Sequence, residues 1–481
     1  MITSPAFAGK HYAVLGLARS GRATVDALLA SGARVTAWDE REEARAALQS
    51  SPSLLGEGDH AKHGGGAAAQ PPSSGRPLHH SLRERSPTRS KLGEDLVIAD
   101  PLAIDLHGLD GIVVSPGVPL NRHPIATRAR EAGVPIIGDI ELFAQARASL
   151  PPHKVVGITG TNGKSTTTAL VHHILKTARV PTTMGGNIGL PILAQDPLPE
   201  GGVYVLELSS YQIDLTQSLD CDVAVLLNIT PDHLDRYESF EAYAASKARL
   251  IKMQSDGHIF VMGTEQDILD ELRRGFMVDA AKGRWSERSK DNRECYSEVS
   301  GQEEWPALQG PHNAQNASAA IVVANDLNVA EEVIEQALRT YSGLPHRMER
   351  VRERDGVLFV NDSKATNPTS TAPALAAYPA VHWILGGLAK SDDLDACAPH
   401  FDHVRAAYTI GEAGPMFARL LSGKVPAVTE AGTLEVAVAE AAGNARAGET
   451  VLLSPACASF DQFKDYEARG EAFRVAVGAL A

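Results

Sequence analysis

At 481 residues the chain is long enough for roughly two to four domains, each with its own core. Hydrophobic residues make up 43% and aromatics only 5%, which suits stacked α/β layers and excludes a disordered chain. The net charge of −14 gives no general pull toward nucleic acid or an anionic membrane, so neither is expected as a partner, and an anionic substrate needs a locally basic pocket.

Residues 11–39 read as a βαβ unit. The apolar run His11-Tyr12-Ala13-Val14-Leu15 leads into the loop Gly16-Leu17-Ala18-Arg19-Ser20-Gly21; a helical stretch follows, then a second strand closing on Asp39. Ala18 stands where the middle glycine of G-x-G-x-x-G belongs, so the unit supports a Rossmann-type fold more than it supports a nicotinamide dinucleotide. A nucleotide diphosphate could still use the loop at Arg19 and Ser20, with Asp39 near a ribose or base.

From about Gly56 to Asp95 the texture changes to Gly64-Gly65-Gly66, Pro71-Pro72 and His79-His80, without apolar periodicity. It is read as a solvated low-complexity insertion with no function assigned. Order resumes with the strand Gly111-Ile112-Val113-Val114 running into Ser115-Pro116-Gly117, then a short strand at Val134–Asp139 and a helix from Ile140. Pro151-Pro152 marks a boundary, giving a first domain at 1–150.

The most informative stretch comes next. The β-branched run Val155-Val156-Gly157-Ile158-Thr159 gives way to Gly160-Thr161-Asn162-Gly163-Lys164-Ser165-Thr166, then to apolar residues at helical spacing. Strand, tight loop and helix N-terminus together aim unpaired backbone N–H groups at one point, where a phosphate supplies the matching charge. Gly160 and Gly163 let the backbone approach phosphate oxygens, Lys164 reaches the terminal phosphates, and Ser165 or Thr166 offers a hydroxyl to Mg²⁺. The match is imperfect, because the first glycine of the P-loop pattern would fall on Ile158.

Further strands follow at Val203–Leu208 and Asp222–Ile229. The first carries Glu207 inside an apolar run, where an unpaired carboxylate is costly and calls for a cation. The second runs toward His233, at the carboxyl end of a strand, where open α/β sheets bind ligands. In the helix near 240–254, Lys247 falls on the apolar stripe; either it snorkels to solvent or its amine faces something anionic or is modified. Residues around 284–305 read as polar surface. Gly310-Pro311-His312-Asn313-Ala314-Gln315-Asn316 opens another helix, where capping is the ordinary use for asparagine. After the hinge-like Gly343-Leu344-Pro345-His346-Arg347, strands at 357–360, 381–385, 404–410 and 451–453 alternate with helices, a third α/β domain. Polar loops crowd one edge of its sheet. A central domain at 151–342 and a C-terminal one at 343–481 complete the expected organisation. The four cysteines, Cys221, Cys295, Cys397 and Cys457, have no CxxC spacing, which fits a reducing cytosol, and no stretch reads as a leader or a membrane span.

These segments together resemble the Mur ligases, the ATP-dependent amide-forming enzymes of peptidoglycan precursor assembly. Gly160–Thr166 alone leaves the relatives open, folylpolyglutamate synthetases included. Three motifs point to the branch that adds D-glutamate: Asn361-Asp362-Ser363-Lys364-Ala365-Thr366-Asn367, Gly138-Asp139-Ile140-Glu141-Leu142-Phe143, and Ser454-Pro455-Ala456-Cys457-Ala458-Ser459 followed by Asp461-Gln462-Phe463. The resemblance implies a Rossmann-like N-terminal domain for a UDP moiety, a central P-loop-type ATPase domain, and a Rossmann-like C-terminal domain that brings the amino acid. ATP and Mg²⁺ are the implied cofactors, UDP-N-acetylmuramoyl-L-alanine and D-glutamate the implied substrates, and a monomer is expected.

Carried over by motif, Lys164 contacts the β/γ-phosphates, with Ser165 and Glu207 on one Mg²⁺ and His233 and Lys247 at a second. The family carbamylates the corresponding lysine, which would account for Lys247 on an apolar stripe. Asn187 and Gln212 touch the muramoyl-alanine end. Asn316, Arg347, Asp362 and Lys364 are nucleotide-side residues. Thr366, Lys390, Ser459, Phe460 and Tyr466 resemble the D-glutamate pocket, and Arg19, Ser20, Asp39 and Ser115 face UDP. Two alternatives stay open: a related ligase with another acceptor or amino acid, and an NAD(P)-dependent oxidoreductase built on residues 11–39.

Overall fold

A computed structural model describes residues 1–50, 95–232, 236–264, 267–272, 292–295 and 299–480. Most of the 56–95 insertion therefore lies outside the described residues, as does His233. The chain builds three sheets in succession. The first holds β1 (His11–Leu15), β2 (Arg34–Trp38), β3 (Leu96–Ile98), β4 (Gly111–Val114) and β5 (Ile136–Ile137), in the order β3-β2-β1-β4-β5 and parallel throughout. The strand order reverses between β1 and β4, so the crevice above their carboxyl ends is flanked by Gly16–Gly21 and Ser115.

The second sheet holds β6 (His153–Thr159), β7 (Thr182–Gly186), β8 (Gly202–Glu207), β9 (Val223–Leu226), β10 (Ile259–Gly263) and β11 (Asn292–Cys295). Its order is β11-β10-β9-β6-β8-β7, again all parallel. Side chains alternate between two cores. Val155, Tyr204, Leu206 and Leu226 face one, while Val156, Ile158, Val205 and Val225 face the other.

The third sheet holds β12 (Glu349–Arg354), β13 (Val357–Asn361), β14 (Val381–Gly386), β15 (Val404–Ile410), β16 (Val428–Gly432) and β17 (Thr450–Leu453), ordered β12-β13-β17-β14-β15-β16. Only β12 runs antiparallel. The carboxyl ends of β13, β17 and β14 lie side by side and bring the three polar loops to one edge.

Several strands differ from the sequence reading. The four residues of β9 are fewer than the run 222–229 suggests; β7, β12 and β16 carry no clear apolar run of their own, while the apolar β10 run Ile259-Phe260-Val261-Met262 is absent from that reading. The 284–305 segment is not simply surface: Cys295 and Trp305 are buried in the core beneath the helix Pro311–Asp326. Among the described residues no helix is long and apolar enough to cross a membrane.

The first and second sheets are fused rather than tethered, because one continuous core includes Tyr12, Val25 and Val35 as well as Val155, Tyr204 and Tyr243. Helix Asp139–Ala146 lies in that seam with Ile140, Leu142 and Phe143 buried. Its Glu141 carboxylate accepts from Gln217 N at 2.7 Å, Ser218 N at 2.9 Å and Ser218 Oγ at 2.7 Å. Replacing Glu141 by Ala strands those donors, so Glu141→Ala is expected to lose about 2–4 kcal/mol in chemical denaturation, whereas a loss under about 0.5 kcal/mol would remove this joint from the fold's supports.

Candidate active site

The phosphate loop is shaped by two glycines and one asparagine. Gly160 has φ +153°, and a Cβ there would stand 3.1 Å from Leu227 Cβ and 3.3 Å from Asn228 N. Gly163 has φ +84°, and its missing side chain is replaced in space by Asn316, whose Oδ1 would be 2.1 Å from an added Cβ. Asn316 does not cap its own helix, where Gly310 is the N-cap. Its Oδ1 accepts from Thr167 Oγ1 at 3.2 Å and its Nδ2 donates to Asn313 Oδ1 at 3.0 Å. Asn228, just past β9, grips the loop from the other side. Asn162 N donates to Asn228 Oδ1 at 2.8 Å, and Asn228 Nδ2 donates to Gln315 Oε1 at 2.9 Å.

Two lysines converge on one carbonyl. Lys164 Nζ donates to the oxygens of Gly160 and Thr161 at 3.0 and 2.8 Å, and Lys247 Nζ reaches the same Gly160 oxygen at 2.8 Å. Lys247 is 2% exposed and stands 4.7 Å from the centre of the Tyr243 ring, so it does not snorkel to solvent. Burial, helped by the Lys164 charge, brings its ammonium down to about 7. Burial also lowers Lys164, with Glu207 opposing.

Glu207 is 2% exposed at the end of β8. Its Oε1 accepts from Asn187 Nδ2 at 2.9 Å, while Oε2 is buried without a hydrogen-bond partner. A bare carboxylate oxygen beside the phosphate loop and the buried Ser165 fits a hard cation, whose ligands are oxygens. Among the described residues no three His, Cys, Asp or Glu side chains stand together, so an ion here would share its coordination with hydroxyl and phosphate oxygens.

The third sheet faces this loop across a cleft. A cavity of about 690 Å³ is lined by Lys164, Ser165, Asn187 and Glu207 on one side and by Arg347, Asp362, Lys364 and Thr366 on the other. A second of about 730 Å³ shares Asn162, Gly163, Arg347 and Asp362 with it and extends to Asn316, His312 and Tyr341. His346 and Met348, with φ of 60° and 48°, are left-handed residues on both sides of Arg347. Asp362 accepts from Met348 N at 3.2 Å and Ser454 Oγ at 2.8 Å, and burial pushes its carboxyl up to about 7. Lys364 Nζ lies 5.5 Å from the centre of the Tyr466 ring, and burial lowers its ammonium. Lys390 Nζ donates to Thr366 Oγ1 at 3.3 Å; Ser459 is buried and Phe460 is 70% exposed.

Sequence reasoning missed His312 and Tyr341. His312 Nδ1, Tyr341 OH and Arg347 Nε are buried without partners on the same cavity, a set of polar atoms suited to the edges of a bound base. His312 sits in the glycine-proline helix start that singled out Asn316; Tyr341 had no local signal at all.

Around the first sheet the expected residues mostly hold the loop itself. Leu17 N donates to Asp39 Oδ2 at 2.7 Å, and Arg41 pairs with the same carboxylate at 3.2 Å. Ser115 Oγ donates to Gly16 O at 2.9 Å. Gly21 must lack a side chain, since a Cβ would fall 1.8 Å from Gly16 O. Ser20 and Ser115 line a small cavity with the buried Asp139, and Arg19 Nη2 donates to Gly189 O at 3.3 Å, across to the second sheet. Gln212 closes a capping box with Ser209, which occupies its carbonyl end.

Residues 158–324 match the Mur ligase middle domain, and 346–457 match the Mur ligase glutamate ligase domain. The chain belongs to the Mur ligase family. Within that family, it is similar along its whole length to UDP-N-acetylmuramoylalanine–D-glutamate ligases. That of Novosphingobium aromaticivorans is 59% identical, covering 100% of this chain and 97% of the relative. Those of Zymomonas mobilis and Sphingopyxis alaskensis are 54% and 56% identical, each covering 100% of both chains. Among solved structures, the UDP-N-acetylmuramate-alanine ligase MurC of Thermotoga maritima shares the fold with a TM-score of 0.54 at 15% identity, covering 98% of this chain and 99% of that one. The MurF ligase of the same organism, solved in complex with ADP, has a TM-score of 0.51 at 17% identity over 77% and 96%.

Gly163→Ala places a methyl group where Asn316 Oδ1 lies and imposes a left-handed φ on an L side chain. The expected result is a loss of ATP affinity of at least about tenfold by calorimetry. Unchanged affinity would contradict the shape assigned to this loop.

Proposed function

We propose that the chain is the ATP-dependent ligase that joins D-glutamate to UDP-N-acetylmuramoyl-L-alanine in peptidoglycan precursor synthesis. The observation that carries this reading is the shared cleft: phosphate-loop residues of the second sheet and the amino-acid-side loops of the third line one cavity. Full-length similarity to ligases of that name supports it. The oxidoreductase alternative loses its support, because Ala18 stands where the dinucleotide fingerprint needs a glycine and the whole chain is similar to Mur ligases.

The three sheets correspond to three proposed units: 1–150 for the UDP moiety, 151–342 for ATP and 343–481 for the incoming amino acid. Arg19, Ser20, Asp39 and Ser115 belong to the first, with Asn187 and Gln212 meeting the acceptor's muramoyl-alanine end. In the proposed reaction an oxygen of the acceptor carboxylate attacks the γ-phosphorus and ADP leaves. The D-glutamate nitrogen, as the free amine, then attacks the acyl carbonyl, and phosphate departs with that oxygen. Lys164 and the loop N–H groups of 160–166 hold the phosphates in line, while Arg347, Asp362, Lys364 and Asn316 fix the nucleotide. Thr366, Lys390, Ser459, Phe460 and Tyr466 receive D-glutamate; a cation and hydroxyls suit its carboxylates. Positioning and charge neutralisation carry the acceleration.

Ser165 and Glu207 would hold Mg²⁺, with Lys247 and His233 proposed at a second ion. When bound, that ion neutralises charge on the phosphates. Carbamylation of Lys247 would turn its amine into a carboxylate-like ligand, and its burial beside Lys164 favours an uncharged or modified form. A monomeric, cytoplasmic enzyme completes the reading.

Purified protein is expected to release ADP and phosphate from ATP only when both UDP-N-acetylmuramoyl-L-alanine and D-glutamate are present. Turnover independent of D-glutamate, or a preference for an acceptor without UDP, would favour a related ligase instead. Lys164→Ala should cut kcat by about two to three orders of magnitude with the fold retained. Glu207→Gln should raise the Mg²⁺ concentration needed for half-maximal rate; an unchanged requirement would remove Glu207 from the metal site.

A further inference from the structure

Arg469 is 1% exposed, and among the described residues no carboxylate contacts it directly, the Asp461 charge acting on it from farther off. It lies one turn into the helix Tyr466–Gly478. All of its N–H groups are spent on three loops. Nε donates to Ser363 Oγ at 3.0 Å and Nη2 to Ser363 O at 2.9 Å, in the loop after β13. Nη2 also reaches Cys457 O at 3.0 Å and Nη1 reaches Ala458 O at 3.2 Å, in the loop after β17. Nη1 approaches Gly386 O, where β14 ends, at 3.5 Å.

Each tied loop continues directly into residues assigned to the amino-acid pocket: Thr366, Lys390, and Ser459 with Phe460. The loops are also locked to each other, since Leu388 and Ala458 exchange N–H···O bonds of 2.9 and 3.0 Å. Gly387 leaves room for this arrangement, because a Cβ there would be 2.3 Å from Ala458 O and 3.1 Å from Arg469 Nη1. Its five N–H groups satisfy oxygens of all three loops at once, which neither an apolar side chain nor a single ammonium could do, and the Asp461 charge favours the ionised fork. Burial brings its guanidinium down to about 10, which leaves it charged at neutral pH.

We propose that Arg469 is a positioning residue for amino-acid recognition: its planar fork sets the mutual spacing of the three loops that grip the D-glutamate carboxylates. The inference rests on the function proposed above. Its failure is separable, because wild-type protein without D-glutamate-dependent turnover would refute that function, while normal turnover with insensitive variants would refute only the role of Arg469.

The test is steady-state kinetics on the full chain with Arg469→Ala and Arg469→Lys, varying each substrate in turn. The KM for D-glutamate should rise at least about tenfold in both, because a lysine keeps the charge without the fork. The KM values for ATP and for UDP-N-acetylmuramoyl-L-alanine should stay within about twofold. Guanidinium ion added to Arg469→Ala should recover part of the D-glutamate affinity. Equal rises in all three KM values, full activity in Arg469→Lys, or an unchanged D-glutamate KM would each overturn the proposal. If neither variant folds, Ser363→Ala removes one acceptor alone and should raise the D-glutamate KM about fivefold; no change there would also overturn it.

Discussion

The structure depends on the replacement of a side chain by a neighbour: Asn316 Oδ1 occupies the space that any residue other than glycine would need at position 163. That contact lets the chain turn left-handed at the N-terminus of the helix Lys164–Thr177, so that its unpaired N–H groups face outward as an anion site. It also couples two elements far apart in sequence, because the helix Pro311–Asp326 becomes part of the phosphate loop's floor. Asn228 holds the opposite wall through Asn162 and Gln315. The loop is thus held by amide side chains on two sides and by the Lys164 and Lys247 ammonium groups on its Gly160 and Thr161 carbonyls.

Charge in the cleft follows from this. The chain as a whole carries −14, yet Lys164, Lys247, Arg347 and Lys364 converge where two sheets meet. Burial, and then the neighbouring positive charges, depress the lysines, and Glu207 opposes the shift at Lys164 and Lys364 while keeping one oxygen bare. A nucleotide with its divalent ion would satisfy both conditions, supplying negative charge to the lysines and a cation to the carboxylate. Fusion of the first two sheets through one core ties the phosphate-loop side of the cleft to the first sheet. The third sheet packs its own two cores and approaches that side from across the cleft.

Much of this was legible in the sequence where local physics and function coincide. The run from Val155 to Thr168 specifies strand, turn and helix by itself, and Glu207 and Lys247 stood out because a charge in an apolar pattern needs a reason. Asn316 was singled out as a nucleotide-side residue, but its service to Gly163 depends on a contact 153 positions away that no spacing reveals. Gln212 and Asp39 show the opposite case: polar residues beside a site that spend their hydrogen bonds on local turns. Tyr341 and His312 were missed because their importance lies in buried atoms left without partners, a property of packing alone. Edge strands such as β7 and β16 were missed because half-exposed, glycine-containing runs lack the apolar signature of central ones.

The central claim is that the cleft transfers the γ-phosphoryl group to a carboxylate before the amine arrives. It can be tested by supplying UDP-N-acetylmuramoyl-L-alanine with ¹⁸O in its terminal carboxylate and measuring the isotope content of the phosphate released. An acyl-phosphate route delivers one ¹⁸O atom to each phosphate formed, matched to each amide made. Phosphate free of label during normal amide formation would mean that water or the amine, not the carboxylate, received the phosphoryl group, and the geometry described here would then have been assigned to the wrong reaction.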